Sequence, residues 1–445
     1  MLDRTIKPRP TGEIDFTIPK IQKSDLSNGL EIYYINKKTL PIVQINLVIP
    51  AGSIYNSPNR HGVSTLTSML IDEGAGNLNG LEISDKIETL GSILNVGSNK
   101  EFTTLSLLTL KENLSRSLEI FTMILESPTF AVEDFKRESQ RLQTQLLQLN
   151  DDPSYLASVR FHKIIYNSTP YQYPSDGIEN SLKSINNSEV KNFYNNRYIP
   201  SSSYLTVVGD VEIDDASNYF GGWKNNIQYK KISPDITPTR KQIVLIDKPD
   251  AIQSEIRMGH FSKGRKSEDF FARSVLNSIL GGQFSSRINL NLREDKGYTY
   301  GAHSNYSYNQ IGSTFSISTS VKTENTINAI KELFNELENI KLNISPNEVE
   351  FAKSYLVRRY PSLFETHSQL ATNLSLLPIF NLDLGYFSDY IEKINDININ
   401  EVNKSANENI LLDNLVIVVV GNAKMLENEL KSLAELRNIE FKKND

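Results

Sequence analysis

The stretch YLTVVGD, residues 204–210, has the composition of a buried strand, because it is a short run of apolar and β-branched residues that ends near a glycine. A closely similar stretch, LVIVVVGN, occupies residues 415–422 near the end of the chain. Its Gly421 follows Gly209 by 212 residues, which indicates that the chain repeats itself.

Two further pairs of landmarks support the repeat. The helical stretches KENLSRSLEIFTMILESP and KTENTINAIKELFNELEN place Asn113 and Asn325 at the same separation. IPAGS and IRMGH place Gly52 and Gly259 at a separation of 207 residues. We therefore predict a duplicated unit of about 210 residues.

The order of elements within each unit predicts the fold class. Strands come first, helices follow and a strand closes the unit, which favours two homologous α+β domains, each an antiparallel-rich β-sheet with helices packed on one face. In the first unit we predict strands in LEIYYIN and VQINLVIPAGS, helices at 62–73, 80–90, 112–126 and 131–149, and a strand pair within 93–109.

Prolines and polar stretches predict the domain boundaries. Residues 1–22 contain three prolines among charges and are expected to form an extended N-terminal arm. The first α+β domain then takes residues 23–230 and the second takes residues 243–445. Residues 231–242 join them as a linker, because two prolines interrupt a polar stretch without periodicity.

Composition excludes several kinds of function. The chain of 445 residues carries 47 Lys and Arg against 53 Asp and Glu, a net charge of −6, so nucleic acid is not indicated as a partner. No apolar run reaches the roughly 18 to 20 residues of a membrane span. The absence of cysteine rules out thiolate catalysis and Cys-ligated metal sites.

The segment HGVSTLTSML, residues 61–70, carries a helix face without reactive groups. Thr65, Ser68 and Met69 stand at positions i, i+3 and i+4 and therefore share one side of the predicted helix. None of the three binds a metal tightly or transfers a proton near neutral pH. The five histidines of the chain are widely separated and show no metal-ligand spacing, so each is expected to be a surface or singly hydrogen-bonded residue.

This organisation resembles the pitrilysin and mitochondrial-processing-peptidase family of inverted zincin peptidases. The resemblance rests on the two similar units, the helix after AGS, the DDP after the predicted helix 131–149, and above all LGGQFSSRINLNLREDKGYTY at residues 280–300. It covers nearly the whole chain. It implies half of a clamshell whose closed chamber degrades peptides.

Active members of that family carry H-x-x-E-H on this helix and a further Glu about 76 residues on, which together hold and use a catalytic zinc. The resemblance places Thr65 and Met69 at the two His positions, Ser68 at the general base and Gln145 at the distal Glu. All four residues are neutral. We therefore expect no zinc and no other cofactor in this chain, and no peptide cleavage by the chain alone.

The resemblance also implies a retained pair in the second half. Arg293 and Tyr300 have the spacing of the Arg and Tyr that the family directs at the substrate, and both groups are suited to donate hydrogen bonds to a developing oxyanion. We predict that Arg293 ends a helix through FSSRINLNLR, that EDKG forms a turn and that Tyr300 starts a strand. The competing interpretation is an Arg in an ion pair with a neighbouring carboxylate and a Tyr packed in the sheet.

The strand at Asn95-Val96 and the glycine pair Gly281-Gly282 are two further candidate features. Asn95 and Val96 stand where the family has an edge strand that pairs its backbone with the bound peptide, although core packing also explains the apolar residues of this strand. The pair Gly281-Gly282 is expected to permit a tight turn and close packing rather than to cradle a phosphate, because no phosphate-binding motif surrounds it.

Three functions are open on this basis. The first is a non-catalytic subunit of a heterodimeric zinc metallopeptidase, which supplies Arg293 and Tyr300 to a homologous partner that carries H-x-x-E-H and zinc, so that the pair encloses unfolded peptides. The second is an inactive peptide-binding or structural assembly subunit, with a homodimer as an assembly of the isolated chain. The third, an active enzyme with an unconventional metal site, lacks candidate ligands. The start LDRTIKPRP resembles the mature start of exported bacterial homologues, which favours the periplasm over the cytoplasm.

Overall fold

The computed structural model describes residues 12, 14 and 16–444, so the greater part of the predicted arm lies outside the described residues. The described chain forms two six-stranded sheets and one two-stranded sheet, with helices packed against them. This confirms the α+β fold class. Among the described residues, no helix is both long and apolar enough to cross a membrane.

The strands are β1 (Gln22–Asp25), β2 (Glu31–Asn36), β3 (Ile42–Ile49), β4 (Gly74–Ala75), β5 (Leu78–Asn79), β6 (Ile93–Ser98), β7 (Thr103–Leu110), β8 (Tyr204–Gly209), β9 (Gln242–Asp247), β10 (Gln253–Ser262), β11 (Ala302–Asn309), β12 (Gly312–Lys322), β13 (Val416–Gly421) and β14 (Glu440–Asn444). The α-helices are α1 (Val63–Leu70), α2 (Gly80–Thr89), α3 (Leu114–Glu126), α4 (Val132–Leu149), α5 (Pro153–Ile165), α6 (Glu179–Leu182), α7 (Asn187–Arg197), α8 (Ile213–Ser217), α9 (Phe270–Leu280), α10 (Arg287–Asn289), α11 (Thr326–Asn339), α12 (Pro346–Arg359), α13 (His367–Phe380), α14 (Tyr390–Asp396), α15 (Ile399–Asn409) and α16 (Ala423–Leu436).

The two large sheets share one strand order. The first is β1-β2-β8-β3-β7-β6 and the second is β14-β9-β13-β10-β12-β11, so five strands correspond one to one. Strand β8 lies parallel to β2 and antiparallel to β3, and β13 likewise lies parallel to β9 and antiparallel to β10. The outer edge differs, because β1 is antiparallel to its neighbour whereas β14 is parallel to its own.

The landmarks of the repeat do not all correspond. The stretches that end at Gly209 and Gly421 are the equivalent strands β8 and β13. Gly52, in contrast, follows the end of β3, whereas Gly259 lies within β10. Each glycine allows a separate close approach, since a Cβ atom would lie 2.5 Å from backbone atoms of Glu101 at the first position and 1.9 Å from a backbone oxygen at the second. The pairing of these two glycines in the sequence was therefore wrong.

One helix of each unit packs against the sheet of the other unit. On β3, Val43 and Ile45 point into the core of the first unit, so Gln44 points to the opposite face. There Gln44 Oε1 accepts a hydrogen bond of 2.8 Å from Ser368 Oγ, on helix α13 of the second unit. Thr206 Oγ1 on β8 likewise donates to a backbone carbonyl of α13, over 3.2 Å.

Helix α5 of the first unit makes the reciprocal contact with the second sheet. It packs against β10 and β13, where Arg257 Nη2 donates to Ser154 Oγ over 2.6 Å. Asp152 caps the start of this helix, since its carboxylate accepts a 2.7 Å hydrogen bond from Ser154 N. Each sheet is therefore covered on one face by its own helices and on the other by a helix of the opposite unit.

Candidate functional site

Helix α1 carries the three neutral residues of the predicted metal positions. It begins after Gly62, whose φ of 108° is a backbone conformation that favours glycine. Thr65 and Met69 are half-buried and Ser68 is buried. The helix packs against α4 and against β6, so its altered face lies beside the strand that was predicted to bind peptide.

The hydroxyl groups on this face are already engaged within the chain. Thr65 Oγ1 donates to Ser175 O over 2.7 Å, and Ser68 Oγ donates to Thr65 O over 2.8 Å. The Met69 side chain packs against the core of the first unit. Gln145, at the predicted fourth position, is exposed on α4.

These residues do not fit a zinc ion. Zinc needs imidazole, thiolate or carboxylate ligands, and the positions offer only neutral hydroxyl, thioether and amide groups. Among the residues that the structure describes, no three His, Cys, Asp or Glu side chains are grouped to hold a metal. The altered face of α1 therefore packs within the first unit, beside α4 and β6.

The histidines have separate structural roles. His61 is buried and stacks on the ring of Tyr173, with centroids 3.6 Å apart, so it is not a surface residue as the sequence suggested it could be. His162 and His260 each bond a backbone carbonyl, and burial lowers the pKa of both imidazoles to about 4. They are therefore neutral side chains at neutral pH.

Strand β6, which contains Asn95 and Val96, is the free edge of the first sheet. Among the described strands it pairs only with β7, so its outer backbone groups are open to an added strand. Val96 packs on the core, whereas Asn95 and Ile93 point outwards and are exposed. Core packing therefore accounts for the inward side chains of this strand, and its pairing with a peptide stays a prediction.

The segment that carries Arg293 differs in detail from its prediction. The helical run begins at Arg287 rather than at residue 284, and Leu290–Asp295 is wound as a π-helix. It cannot begin earlier because the Asn289 side chain donates to Phe284 O over 2.7 Å and holds residues 284–286 in a turn. Glu294 and Asp295 therefore belong to the helix and not to the predicted EDKG turn.

Tyr300 is not the first residue of a strand, because β11 begins at Ala302. The backbone of Gly301 is instead bonded to side chains: its N–H donates to Thr299 Oγ1 over 3.1 Å, and its O accepts from Thr319 Oγ1 over 3.1 Å. The Tyr300 side chain is 95% exposed. The competing interpretation of a tyrosine packed in the sheet is therefore wrong.

Arg293 lies across an aromatic ring beside an acidic neighbour. Its guanidinium carbon is 4.3 Å from the centroid of Phe284, which is itself 62% exposed. Its Nη1 atom lies 3.3 Å from Glu294 Oε1, so the ion pair of the competing interpretation does exist. The pair is partly exposed and does not prevent the guanidinium from binding another acceptor.

Sequence reasoning missed the residues that fix this segment in place. Arg287 forms a bidentate ion pair with Glu348 on α12, at 2.6 and 2.9 Å. Asn277 and Ser304 bond each other beneath Gly281, where a Cβ atom would lie 2.6 Å from a backbone nitrogen. The signal for the last contact was the Gly281-Gly282 pair itself, whose predicted close packing the structure shows.

Fold and site together define a class of protein: two α+β units on the plan of the inverted zincins, with neutral residues at the metal positions. The family model described as Insulinase (Peptidase family M16) matches residues 31–177, and the one described as Peptidase M16 inactive domain matches residues 184–356. The chain belongs to the M16 peptidase family, as the resemblance indicated.

Individual relatives agree with this placement. The chain is 21% identical over 399 residues to the "Non-peptidase homolog YmxG" of Helicobacter pylori, a match that covers 88% of this chain and 92% of that one. It is 22% identical over 406 residues to the "Zinc protease PqqE" of the same strain, with 88% and 90% covered. A solved structure of a peptidase M16 inactive domain from Pseudomonas fluorescens has a TM-score of 0.85 at 25% identity and covers 90% of this chain and 98% of its own.

Proposed function

We propose that this chain is the non-catalytic subunit of a heterodimeric zinc metallopeptidase. In this proposal a homologous partner carries H-x-x-E-H and the zinc, and this chain supplies Arg293 and Tyr300 to the shared chamber. The two groups donate hydrogen bonds to the negative charge that develops on the carbonyl oxygen of a bound peptide. The edge strand β6 offers its backbone to an extended peptide.

The observation that carries the proposal is the state of Tyr300. A side chain that is 95% exposed, with no hydrogen bond or ring contact to another described residue, contributes little to the stability of its own chain. Yet the backbone beneath it is braced, because Ala302 N donates to the buried Asn289 Oδ1 over 3.2 Å and the neighbouring Gly301 is bonded on both sides. A fixed backbone that presents a free phenol suits a ligand or partner outside the chain.

The relatives support a division of labour. One bacterial strain holds a homologue named as a non-peptidase and another named as a zinc protease, and this chain is similar to both over most of its length. The neutral residues at Thr65, Ser68 and Met69 leave this chain on the non-peptidase side.

The test is a reconstituted pair. The chain is mixed with a homologue that carries H-x-x-E-H, and hydrolysis of an unfolded peptide is followed. We expect Tyr300→Phe and Arg293→Ala each to lower kcat/KM of the mixture by about 10²-fold or more, the size of effect seen when one donor to an oxyanion is removed.

Tyr355→Phe is the matched control, because it deletes a phenolic oxygen on α12, away from the loop. It should leave the activity unchanged. An active mixture that is indifferent to both Tyr300→Phe and Arg293→Ala would refute the proposed role and favour the structural or peptide-binding subunit. Zinc-dependent cleavage by the isolated chain would contradict both functions.

A further inference from the structure

A pocket of about 470 Å³ lies between the two units, at the edge of the first sheet opposite to β6. The first unit contributes residues of β1, β2 and β8, including Lys23 and Tyr33. The second unit contributes the loop after β10, the β11–β12 turn and the end of α13. Neither the metal positions nor the Arg293 loop takes part in it.

The pocket has a surplus of positive charge. Lys23, Lys231, Arg265 and Lys266 line it, and Glu31 is the one carboxylate among the described residues of its wall. Glu31 is occupied by Lys23, whose Nζ lies 3.1 Å from its carboxylate. The other three cations form no ion pair with a carboxylate of the described chain, although the charge of Lys231 acts on the nearby Glu101.

Arg265 is the most constrained of these cations. Its guanidinium carbon lies between 5.1 and 5.8 Å from the ring centroids of four aromatic residues, namely Phe270, Tyr308, Phe380 and Tyr386. The rings hold the group in place, but they are not hydrogen-bond acceptors of ordinary strength. Its Nε atom is buried and has no hydrogen-bond acceptor among the described residues.

The neighbouring Arg273, on helix α9, also has a buried Nε without an acceptor among the described residues, but its other guanidinium nitrogens are bonded. Its guanidinium donates to Lys263 O and Gly264 O at 3.0 and 2.9 Å and to Ser267 Oγ at 2.7 Å. Arg265 has fewer such partners: its guanidinium reaches the hydroxyl of Tyr386, and its Nε has no acceptor among the described residues. The difference indicates that the acceptor for Arg265 is supplied from outside the chain.

The carbonyl groups at the end of α13 do not fill this role. Asn381 N donates to Pro378 O over 3.2 Å, and Gln310 Nε2 donates to Ile379 O over 3.1 Å. Leu382 N donates to Leu377 O over 2.8 Å. These carbonyls are therefore engaged with the capping turn and with the β11–β12 turn.

We propose that this pocket binds a small oxyanion of two or more negative charges. Such an anion would accept hydrogen bonds from Lys231, Arg265 and Lys266 and relieve the repulsion among them. Because the pocket joins both units and their connecting segment, the bound anion would also fasten the units to each other. This site is separate from the proposed peptide chamber and does not depend on it.

The test is calorimetric titration of the full chain with inorganic pyrophosphate and with citrate, at constant ionic strength. We expect saturable binding of one anion per chain and a rise in Tm in its presence. Binding of pyrophosphate alone would assign a phosphate-type ligand, and binding of citrate alone a polycarboxylate. Arg265→Gln and the double variant Lys231→Gln/Lys266→Gln should each weaken binding by about tenfold or more.

Lys424→Gln removes one charge from an exposed lysine on α16 and should bind as the wild type does. Should Arg265→Gln fail to fold, the double lysine variant decides, since both lysines are exposed. Absence of saturable binding would overturn the proposal. So would equal weakening in Lys424→Gln and the double variant, because the effect would then come from net charge alone.

Discussion

Thr65, at one of the predicted metal positions, is bonded into the structure of its own unit. Its hydroxyl bonds the loop at Ser175, and the adjacent Ser68 bonds back into its own helix. The sequence predicted that these positions lack metal ligands, but not what the Thr65 hydroxyl does, because its partner lies 110 residues further along the chain. At Tyr300 the opposite holds, since the side chain has no structural task at all.

Thr65→Val tests whether the altered helix face is structural. We expect the free energy of unfolding to fall by about 1 kcal/mol, because Ser175 O loses its donor in a half-buried site. Thr65→Ser keeps the hydroxyl and is the control. Urea denaturation measures the stability, and the activity of the reconstituted pair should be the same for all three proteins. A Thr65→Val protein that is fully stable but inactive in the pair would show that the face takes part in chemistry.

Two elements, the edge strand β6 and the helical run before Tyr300, position the proposed site. The strand was predictable, because alternating residues mark it in the sequence. The start of the helical run was not, because Asn289 and Phe284 hold the preceding turn through a side-chain bond that no periodicity reveals. The start of β11 depends likewise on the threonines that bond Gly301, which divert its backbone from the ladder.

A proline scan of β6 tests the proposed peptide edge. Adjacent residues of a strand direct their N–H groups to opposite sides, so only one of Asn95 and Val96 donates towards β7. Asn95→Pro and Val96→Pro should therefore differ: one destabilises the sheet, and the other leaves the fold intact but abolishes the binding of an extended peptide. Circular dichroism and fluorescence anisotropy of a labelled peptide separate these effects. Undiminished binding by both folded variants would exclude this edge.

The ion pair between Arg287 and Glu348, which anchors the Arg293 segment, should stop contributing to stability in acid. Burial would raise the pKa of the Glu348 carboxyl, but hydrogen bonds from Arg287 and Ser345 outweigh it and hold this pKa at about 2, below the ordinary 4.5. The stabilisation is therefore complete above about pH 4.5 and is lost as the pH falls towards 2. The stability difference between the wild type and Glu348→Gln should shrink over this range.

Glu350→Gln is the control for that titration, because its carboxylate is 73% exposed on the same helix and its one ion-pair partner in the described part of the chain is Lys353. Its stability should follow that of the wild type at every pH. If the difference between the wild type and Glu348→Gln stays constant down to pH 2, the ion pair with Arg287 does not fix the segment.

Helices α5 and α13, each of which packs against the sheet of the opposite unit, hold the two units together. The repeat, and hence the fold of each unit, could be predicted from landmarks at one offset. The packing of α5 and α13 on the opposite sheets could not be predicted, because an amphipathic pattern indicates which face of a helix is buried and not which sheet it covers. Polar residues at alternate positions of β3, such as Gln44, give the only trace of a second covered face.

Leu374→Ala tests the coupling of the units. Leu374 on α13 is buried in a cluster with Tyr33 and Val208 of the first unit, so its truncation should cost about 2–5 kcal/mol. The chain has one tryptophan, Trp223, which is buried in the first unit. Its fluorescence should report the same lowered midpoint as far-UV circular dichroism.

Leu436→Ala, at a leucine that is 78% exposed, should change stability by no more than about 0.5 kcal/mol. A Trp223 transition that is unmoved in Leu374→Ala, while circular dichroism shows a second and earlier step, would mean that the units unfold independently.

The most direct test of the division of labour is to measure zinc content and peptide hydrolysis for three samples: this chain, a homologue that carries H-x-x-E-H, and their equimolar mixture. We expect no stoichiometric zinc and no hydrolysis for this chain alone, and hydrolysis by the mixture well above that of the homologue alone. Stoichiometric zinc with hydrolysis in the isolated chain, or a mixture no more active than the homologue, would contradict the proposed division of labour.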